Sequence, residues 1–267
     1  MANAFLLKPL APAATSLVGG TLTAGSVDNL FNDYAGVILS GNCNGSSNRL
    51  TFSFDLGADT SIDALMIFGV SLFPTNGFLT INYATAAQGN FTGSYGSDGT
   101  PVPYAGSVGM TSGKGVSFWA PAAPVTARYI QIVYTAPAPG YVITLSRVVI
   151  GKRIQLARNY SNGVQLGVKD LGSLDFSARG ALIRRRAAKL RTVGLTFSSI
   201  YKDEVEAQTK PLLEQIGNTE MIGLCLDPAV DAQRQNRCYY GPLVGDLSHT
   251  RRNAAAWEAK VNQVSIF

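Results

Sequence analysis

Residue types that carry acid–base, nucleophilic or metal chemistry are sparse in this chain of 267 residues: one histidine, three cysteines and 17 acidic side chains. His249 stands in Ser248-His-Thr-Arg-Arg252, and no nucleophile elbow accompanies it. A catalytic dyad would need a partner delivered by the fold, so a surface-loop histidine is expected. Cys43, Cys225 and Cys238 form no C-x-x-C pair. Their odd count fits reduced thiols better than a disulfide framework, with a Cys225–Cys238 bridge across two strands as the alternative. There is no H-E-x-x-H and no Asp-rich calcium loop, so no metal site is expected; a structural calcium held by backbone carbonyls stays open. Gly113-Lys114-Gly115 lacks both the leading glycine and the trailing Ser/Thr of a phosphate loop and reads as a turn. Glycoside hydrolysis needs two acids flanking one cleft. The first 150 residues hold six aspartates and no glutamate, and Asp55 and Asp63 fall in or beside strands, where bonding to turns is the usual role. No catalytic residue and no cofactor is assigned; the chain reads as a non-enzyme.

Two groupings point to binding instead. Phe31, Tyr34, Phe91, Tyr95 and Tyr104 lie near predicted loops, where aromatic rings would stack on the apolar C–H faces of sugars. The competing reading is that each plugs an end of the core. The second grouping is a basic run holding Arg184, Arg185, Arg186, Lys189 and Arg191. It could contact nucleic-acid phosphates, but it lacks interleaved aromatics for stacking. A subunit interface, or a solvated face pairing with acids such as Asp203, Glu204 and Glu206, is expected, with no nucleic-acid partner. Side chains alternate along a strand, so the three successive arginines cannot share one face.

The elements that position these residues are mostly strands. Residues 1–150 carry five Lys/Arg against six Asp, whereas the rest carries 17 Lys/Arg against 11 acids, including every glutamate. That shift places a domain boundary near Gly151, giving 1–151 and 152–267. Leu17-Val18 and Val37-Ile-Leu39 read as short strands around an irregular loop over 28–34. Leu50-Thr-Phe-Ser-Phe-Asp-Leu56 alternates as a half-buried strand closed by Gly57. Ile62-Asp-Ala-Leu-Met-Ile-Phe68 is a strand buried on both faces, Phe78-Leu-Thr-Ile-Asn-Tyr83 another, and Gly115-Val-Ser-Phe-Trp119 a third. Residues 86–115 read as a loop or long hairpin tip. Ala127-Arg-Tyr-Ile-Gln-Ile-Val-Tyr134 and Tyr141-Val-Ile-Thr-Leu-Ser-Arg-Val-Val-Ile-Gly151, joined by a Pro/Gly turn, predict a β-hairpin that closes the first domain. In the second half, 180–185 and 190–197 predict two strands around a basic turn. One helix is expected near 201–216, kinked or split by Pro211 and stopped at Gly217-Asn218. No stretch approaches the roughly 18 apolar residues of a membrane span. The start, Met1-Ala-Asn-Ala-Phe-Leu-Leu-Lys8, reverses the charge order of a secretory leader and reads as an ordinary N-terminus.

The set Leu50-Thr-Phe-Ser-Phe-Asp-Leu-Gly57, Ser61-Ile-Asp-Ala-Leu-Met-Ile-Phe-Gly69 and Ala127-Arg-Tyr-Ile-Gln-Ile132, with a closing strand at Gly151, resembles a discoidin-like, galactose-binding-like jelly roll over about residues 15–151. That resemblance implies an eight-stranded sandwich whose loops at one end often bind sugars or lipid head groups. The order Val149-Ile-Gly-Lys152, Arg158-Asn-Tyr160, Gly163-Val-Gln-Leu-Gly167, Lys169-Asp-Leu171, Arg191-Thr-Val-Gly-Leu-Thr-Phe197 resembles the distal tail and tail-tip proteins of tailed bacteriophages. It implies a mainly β chain of two β-sandwich domains, the second tail-tube-like with one helix. It also implies a structural role in a virion tail tip or baseplate, self-assembly into a homo-oligomeric ring, other tail proteins as partners, and a projecting jelly roll that contacts host glycans or fibres. The alternatives are a soluble carbohydrate-binding module without a virion role and, third, a glycan-degrading enzyme.

Overall fold

The computed structural model describes residues 3–44, 48–71, 76–99, 101, 115–246, 248–253 and 256–267. The chain is mainly β and divides into two compact units, Met1–Ile154 with Gly223–Cys238, and Gln155–Ile222 with Tyr239–Phe267.

The first unit contains strands β1 (Phe5–Leu7), β2 (Ala14–Gly19), β3 (Thr21–Ala24), β4 (Leu39–Cys43), β5 (Arg49–Ile62), β6 (Ala64–Val70), β7 (Phe78–Ala84), β8 (Gly96–Asp98), β9 (Gly115–Trp119), β10 (Val125–Thr135), β11 (Tyr141–Leu145), β12 (Arg147–Gly151) and β13 (Arg153–Gln155). A five-stranded sheet runs in the order β2-β5-β10-β7-β8, and two three-stranded sheets, β11-β4-β3 and β12-β6-β9, supply the facing layer. Phe52, Phe54, Ile130, Ile132 and Tyr134 from the first layer meet Leu39, Leu65, Ile67, Ile143, Leu145 and Val148 from the second in one buried core. This is a β-sandwich. Residues recruited from far along the chain complete the unit: β1 pairs with 223–225, Phe5 opposite Cys225 and Leu7 opposite Gly223.

Three expectations change here. The runs around the Pro/Gly turn are not a hairpin: β10 lies between β5 and β7, whereas β11 pairs with β4. The turn residues bond elsewhere, Ala136 N–H to the Asn48 carbonyl and Gly140 N–H to that of Cys43, so residues 136–140 carry the chain from one layer to the other. Gly57 does not close β5. Ala127 pairs with Thr60 and Tyr129 with Asp55, so residues 56–59 bulge out of the ladder before the strand resumes. Gly57, at φ +84°, makes that excursion and donates its N–H to Asp55 Oδ1 at 2.7 Å. Nor is β5 half-buried over 50–54, because Thr51 and Ser53 are covered as well as Leu50, Phe52 and Phe54. β2 pairs alongside β5 in the same sheet, and the opposed Ser16 and Ser53 hydroxyls share a 2.9 Å hydrogen bond.

The second unit is built on a four-stranded antiparallel sheet, β14 (Gln165–Asp170), β17 (Lys189–Tyr201), β21 (Ala256–Ser265) and β20 (His249–Arg251), in that order; β18 (Met221–Cys225) and β19 (Cys238–Pro242) come between β17 and β20 in the chain. Val193, Leu195 and Phe197 of β17 are buried while their neighbours are half-exposed, the alternation of a strand with one covered face. The helix spans 202–216 and buries Val205, Leu212 and Ile216. Pro211 neither breaks nor visibly splits it. A π-helical turn over Val205–Thr209 precedes the proline, and Lys210 N–H bonds the Val205 carbonyl. The register thus changes before the position that lacks an N–H. Two further strands, β15 (Ser173–Phe176) and β16 (Leu182–Arg185), pair only with each other. The two strands expected over 180–185 and 190–197 are present as β16 and β17, but the basic residues between them are not a turn: β16 and β17 are successive stretches of one returning strand, opposite β15 and β14.

Candidate functional site

The aromatic candidates fall into two loops of the first unit. Phe31 ends the short 3₁₀ turn Val27–Phe31 and packs edge-on against Phe54, centroids 5.2 Å apart. It plugs the core, the alternative considered for it. Tyr34, three residues on, is 76% exposed. Its backbone is held, the N–H donating to Asn32 Oδ1 and the carbonyl accepting from Val37 N–H, each at 2.9 Å. From beneath, the buried Arg147 braces the same loop through the Leu30 carbonyl and Asp33. The second loop, residues 85–95, is pinned by Ala86 N–H donating to Asp59 Oδ1 at 2.8 Å. Within it Phe91, at φ +57°, and Tyr95 meet edge to face at 5.3 Å, leaving Tyr95 44% exposed. Tyr104 lies outside the described residues.

One feature at the same end of the sheet escaped the sequence reading. Ala14, Asp55, Tyr129 and Ala84 form one row across four strands, and Arg128 rises from the bulge beside it. Its guanidinium makes two 2.8 Å bonds to the Asp55 carboxylate and lies 5.0 Å from the Tyr129 ring centre. The bonds from Arg128 hold the Asp55 carboxyl below the usual aspartate range. The Arg-Tyr pair inside a strand was visible in the sequence; its alignment with an aspartate 73 residues away was not.

The basic run belongs to a projecting arm. β14 and β15 run out, residues 177–181 turn back with Ser177 N–H bonding the Ala181 carbonyl, and β16 leads into β17. Register slips by one residue between the two ladders, from Val168 opposite Arg191 to Leu174 opposite Arg184. Every residue of β14, β15 and β16 is exposed. Leu166, Val168, Leu171, Leu174, Phe176, Leu182 and Ile183 are each 45 to 66% exposed, an apolar load that folded monomers seldom display together. Opposed side chains share a face, so Leu174, Phe176, Leu182 and Arg184 line one side of the tip, and Ser173, Asp175, Ile183 and Arg185 the other. At the bend, Arg184, Arg185, Arg186 and Lys189 surround a 650 Å³ hollow with Asp170. Among the described residues none of these four cations has an ion-pair partner within the chain. The expected pairing with Asp203, Glu204 and Glu206 is not made: Glu204 instead accepts the N–H groups of Ala157 and Tyr201, and Glu206 pairs with Lys202. Arg191 sits apart from the other cations, bonded to the Phe267 carbonyl at 3.1 Å and stacked 4.6 Å from the Tyr239 ring.

His249 is not on a surface loop. It lies half-buried in edge strand β20, with Nε2 2.7 Å from Thr209 Oγ1. Burial, and then the charge of Lys210, push its pKa down. It lines a 440 Å³ cleft with Val205, Leu213 and Trp257 as floor and Glu206, Lys210 and Glu214 as rim. Among the described residues no serine or cysteine nucleophile lines that cleft. Among the described residues no three His, Cys, Asp or Glu side chains gather as a metal site. Cys43, Cys225 and Cys238 are buried and joined in no disulfide, as reduced thiols.

No protein-family model and no curated protein matches the sequence. Solved structures do. A family 32 carbohydrate-binding module from a family 31 glycoside hydrolase of Clostridium perfringens matches at 12% identity and TM-score 0.38, over 54% of this chain and 97% of its own. A chitosan-binding module from a Paenibacillus chitosanase/glucanase matches at 11% identity and TM-score 0.37, over 53% and 97%. The lectin domain of lectinolysin, solved with Lewis B antigen, matches at 11% identity and TM-score 0.37, over 54% and 96%.

Proposed function

We propose that this chain is a non-catalytic protein whose first unit binds carbohydrate. The observation that carries the reading is Tyr34, a ring 76% exposed on a loop whose backbone is tied down at several points. A rigid, solvent-facing phenol offers an apolar face and a hydroxyl together, which suits a sugar ring, and little ordering entropy is lost on contact. Tyr95, propped edge-on by Phe91, provides a second such surface, and Arg128 with Asp55 provides charged hydrogen-bonding groups on the same sheet row. A glycan array followed by affinity electrophoresis tests this. Tyr34→Ala and Tyr95→Ala are each expected to weaken binding of the retained glycan by roughly 5- to 10-fold, the scale of one aromatic stacking contact. Retention of no glycan by the wild-type chain overturns the reading.

A second reading is favoured by the exposed arm. In it the chain is a structural component of a phage tail tip or baseplate, located in the virion, ring-forming and bound to other tail proteins, with the sandwich as its glycan- or fibre-contacting part. An arm with this much apolar surface is stable in water only when something covers it. Size-exclusion chromatography with light scattering is expected to show a discrete homo-oligomer. A monomer at high concentration counts against this reading and leaves carbohydrate binding untouched.

A further inference from the structure

Resting on the self-association reading, we propose that the arm tip of one copy docks in the helix cleft of a second copy. The donor face is Leu174, Phe176, Leu182 and Arg184: three uncovered apolar side chains around one unpaired guanidinium. The acceptor is complementary in both respects. Its floor is Val205, Leu213 and Trp257, and its rim carries two carboxylates, Glu206 and Glu214, against one cation, Lys210. The 440 Å³ cleft lies in the range of roughly 300–1,000 Å³ typical of hollows that enclose apolar groups. Both carboxylates stand in solvent, and among the described residues each pairs with a lysine one helical turn earlier, at 3.7 and 3.8 Å. Such exposed pairs contribute little and exchange readily. Arg184, brought over the rim by the apolar contacts, would replace a lysine with a forked, bidentate donor in a partly dried setting. The opposite face of the tip, with Ser173, Asp175 and Arg185, offers one large apolar side chain and an acid that the rim would repel. Arm and cleft are different surfaces, so the contact is heterologous and closes into a ring when the rotation per copy permits.

The test is self-association of the full chain by light scattering over a concentration series. Arg184→Glu is expected to raise the dissociation constant by about 30-fold or more, the usual cost of disrupting a buried interfacial charge pair. Phe176→Ser should do likewise. Glu206→Arg with Glu214→Arg should weaken association as Arg184→Glu does, and the chain carrying all three reversals should recover it. Arg185→Glu, on the other face of the same strand, should leave it unchanged. Circular dichroism melts check that the fold persists in each variant. Equal damage from Arg185→Glu, or failure of the triple reversal to recover, overturns the docking. If the wild type associates and Arg184→Glu has no effect, the docking is wrong and the assembly reading stands. If the wild type stays monomeric throughout, the assembly reading fails and takes the docking with it.

Discussion

Asp55 shows how much one side chain organises. Its carboxylate accepts two bonds from Arg128 and one from Gly57 N–H, so it fixes the bulge and the guanidinium together. These bonds favour the charged form and lower its pKa, Arg128 being the largest cause. The stability they contribute is present above the unfolded-state value of about 3.9 and is lost as pH falls through the lower folded-state value. Thermal melts from neutral pH down through that window should therefore show a decline that Asp55→Asn removes, while the variant is less stable than wild type at neutral pH. An acid-melting profile identical in both proteins would refute this role. Deeper in the core, the Tyr134 hydroxyl and the fully buried Ser117 hydroxyl share a 2.7 Å bond. Tyr134→Phe removes that bond and is expected to cost about 0.5–1.5 kcal/mol in urea unfolding. Both pairings join residues far apart in sequence, which is why Asp55 was legible as a strand aspartate but not as the partner of Arg128.

Elements divide into those that the core needs and those that it does not. The arm strands β15 and β16 bury nothing and pair only with each other. Replacing residues 172–187 with an Asn-Gly turn should shift the melting temperature by no more than about 4–8 °C, since a change below 1 kcal/mol moves a unit of this size by at most that much. The same deletion should abolish self-association. Residues 223–238 are the opposite case. They begin 69 residues beyond the rest of their unit, yet 223–225 pair with β1, and Arg234 stacks on Phe118 at 4.7 Å. A fragment ending at residue 154 should therefore be destabilised or insoluble, and adding 223–238 through a flexible linker should restore a cooperative melt. A cooperative, undiminished melt from the shorter fragment would show that this segment is dispensable.

For the whole molecule, the uneven charge of the sequence is a statement about assembly. The basic run and all five glutamates lie in the second half of the chain; the arm carries the cations and the helix three of the five glutamates, and neither set neutralises the other within one copy. Charges held apart in this way attract between copies, and salt screens that attraction over a Debye length of about 8 Å at physiological ionic strength. Self-association should weaken as sodium chloride is raised, while Phe176→Ser flattens the concentration dependence at every salt level. Association strengthened by salt would indicate a purely apolar contact.

Local chemistry by itself determined the β class, the strands around Phe52, Met66, Ile81, Val116 and Ile132, the helix after Tyr201, and the separation of a neutral half from a charged one. Each follows from periodicity, branched and aromatic side chains, or composition, all readable within a few residues. Tertiary structure alone decided which strands are neighbours: that β10 and β11 part company at a Pro/Gly turn, that β5 continues past Gly57, and that 223–238 return to the first unit. It also decided that Phe31 faces the core while Tyr34 faces solvent, and that three arginines without acids ride on an arm. A strand's pattern records that one face will be covered, but the partner that covers it is chosen by the packing of the whole chain.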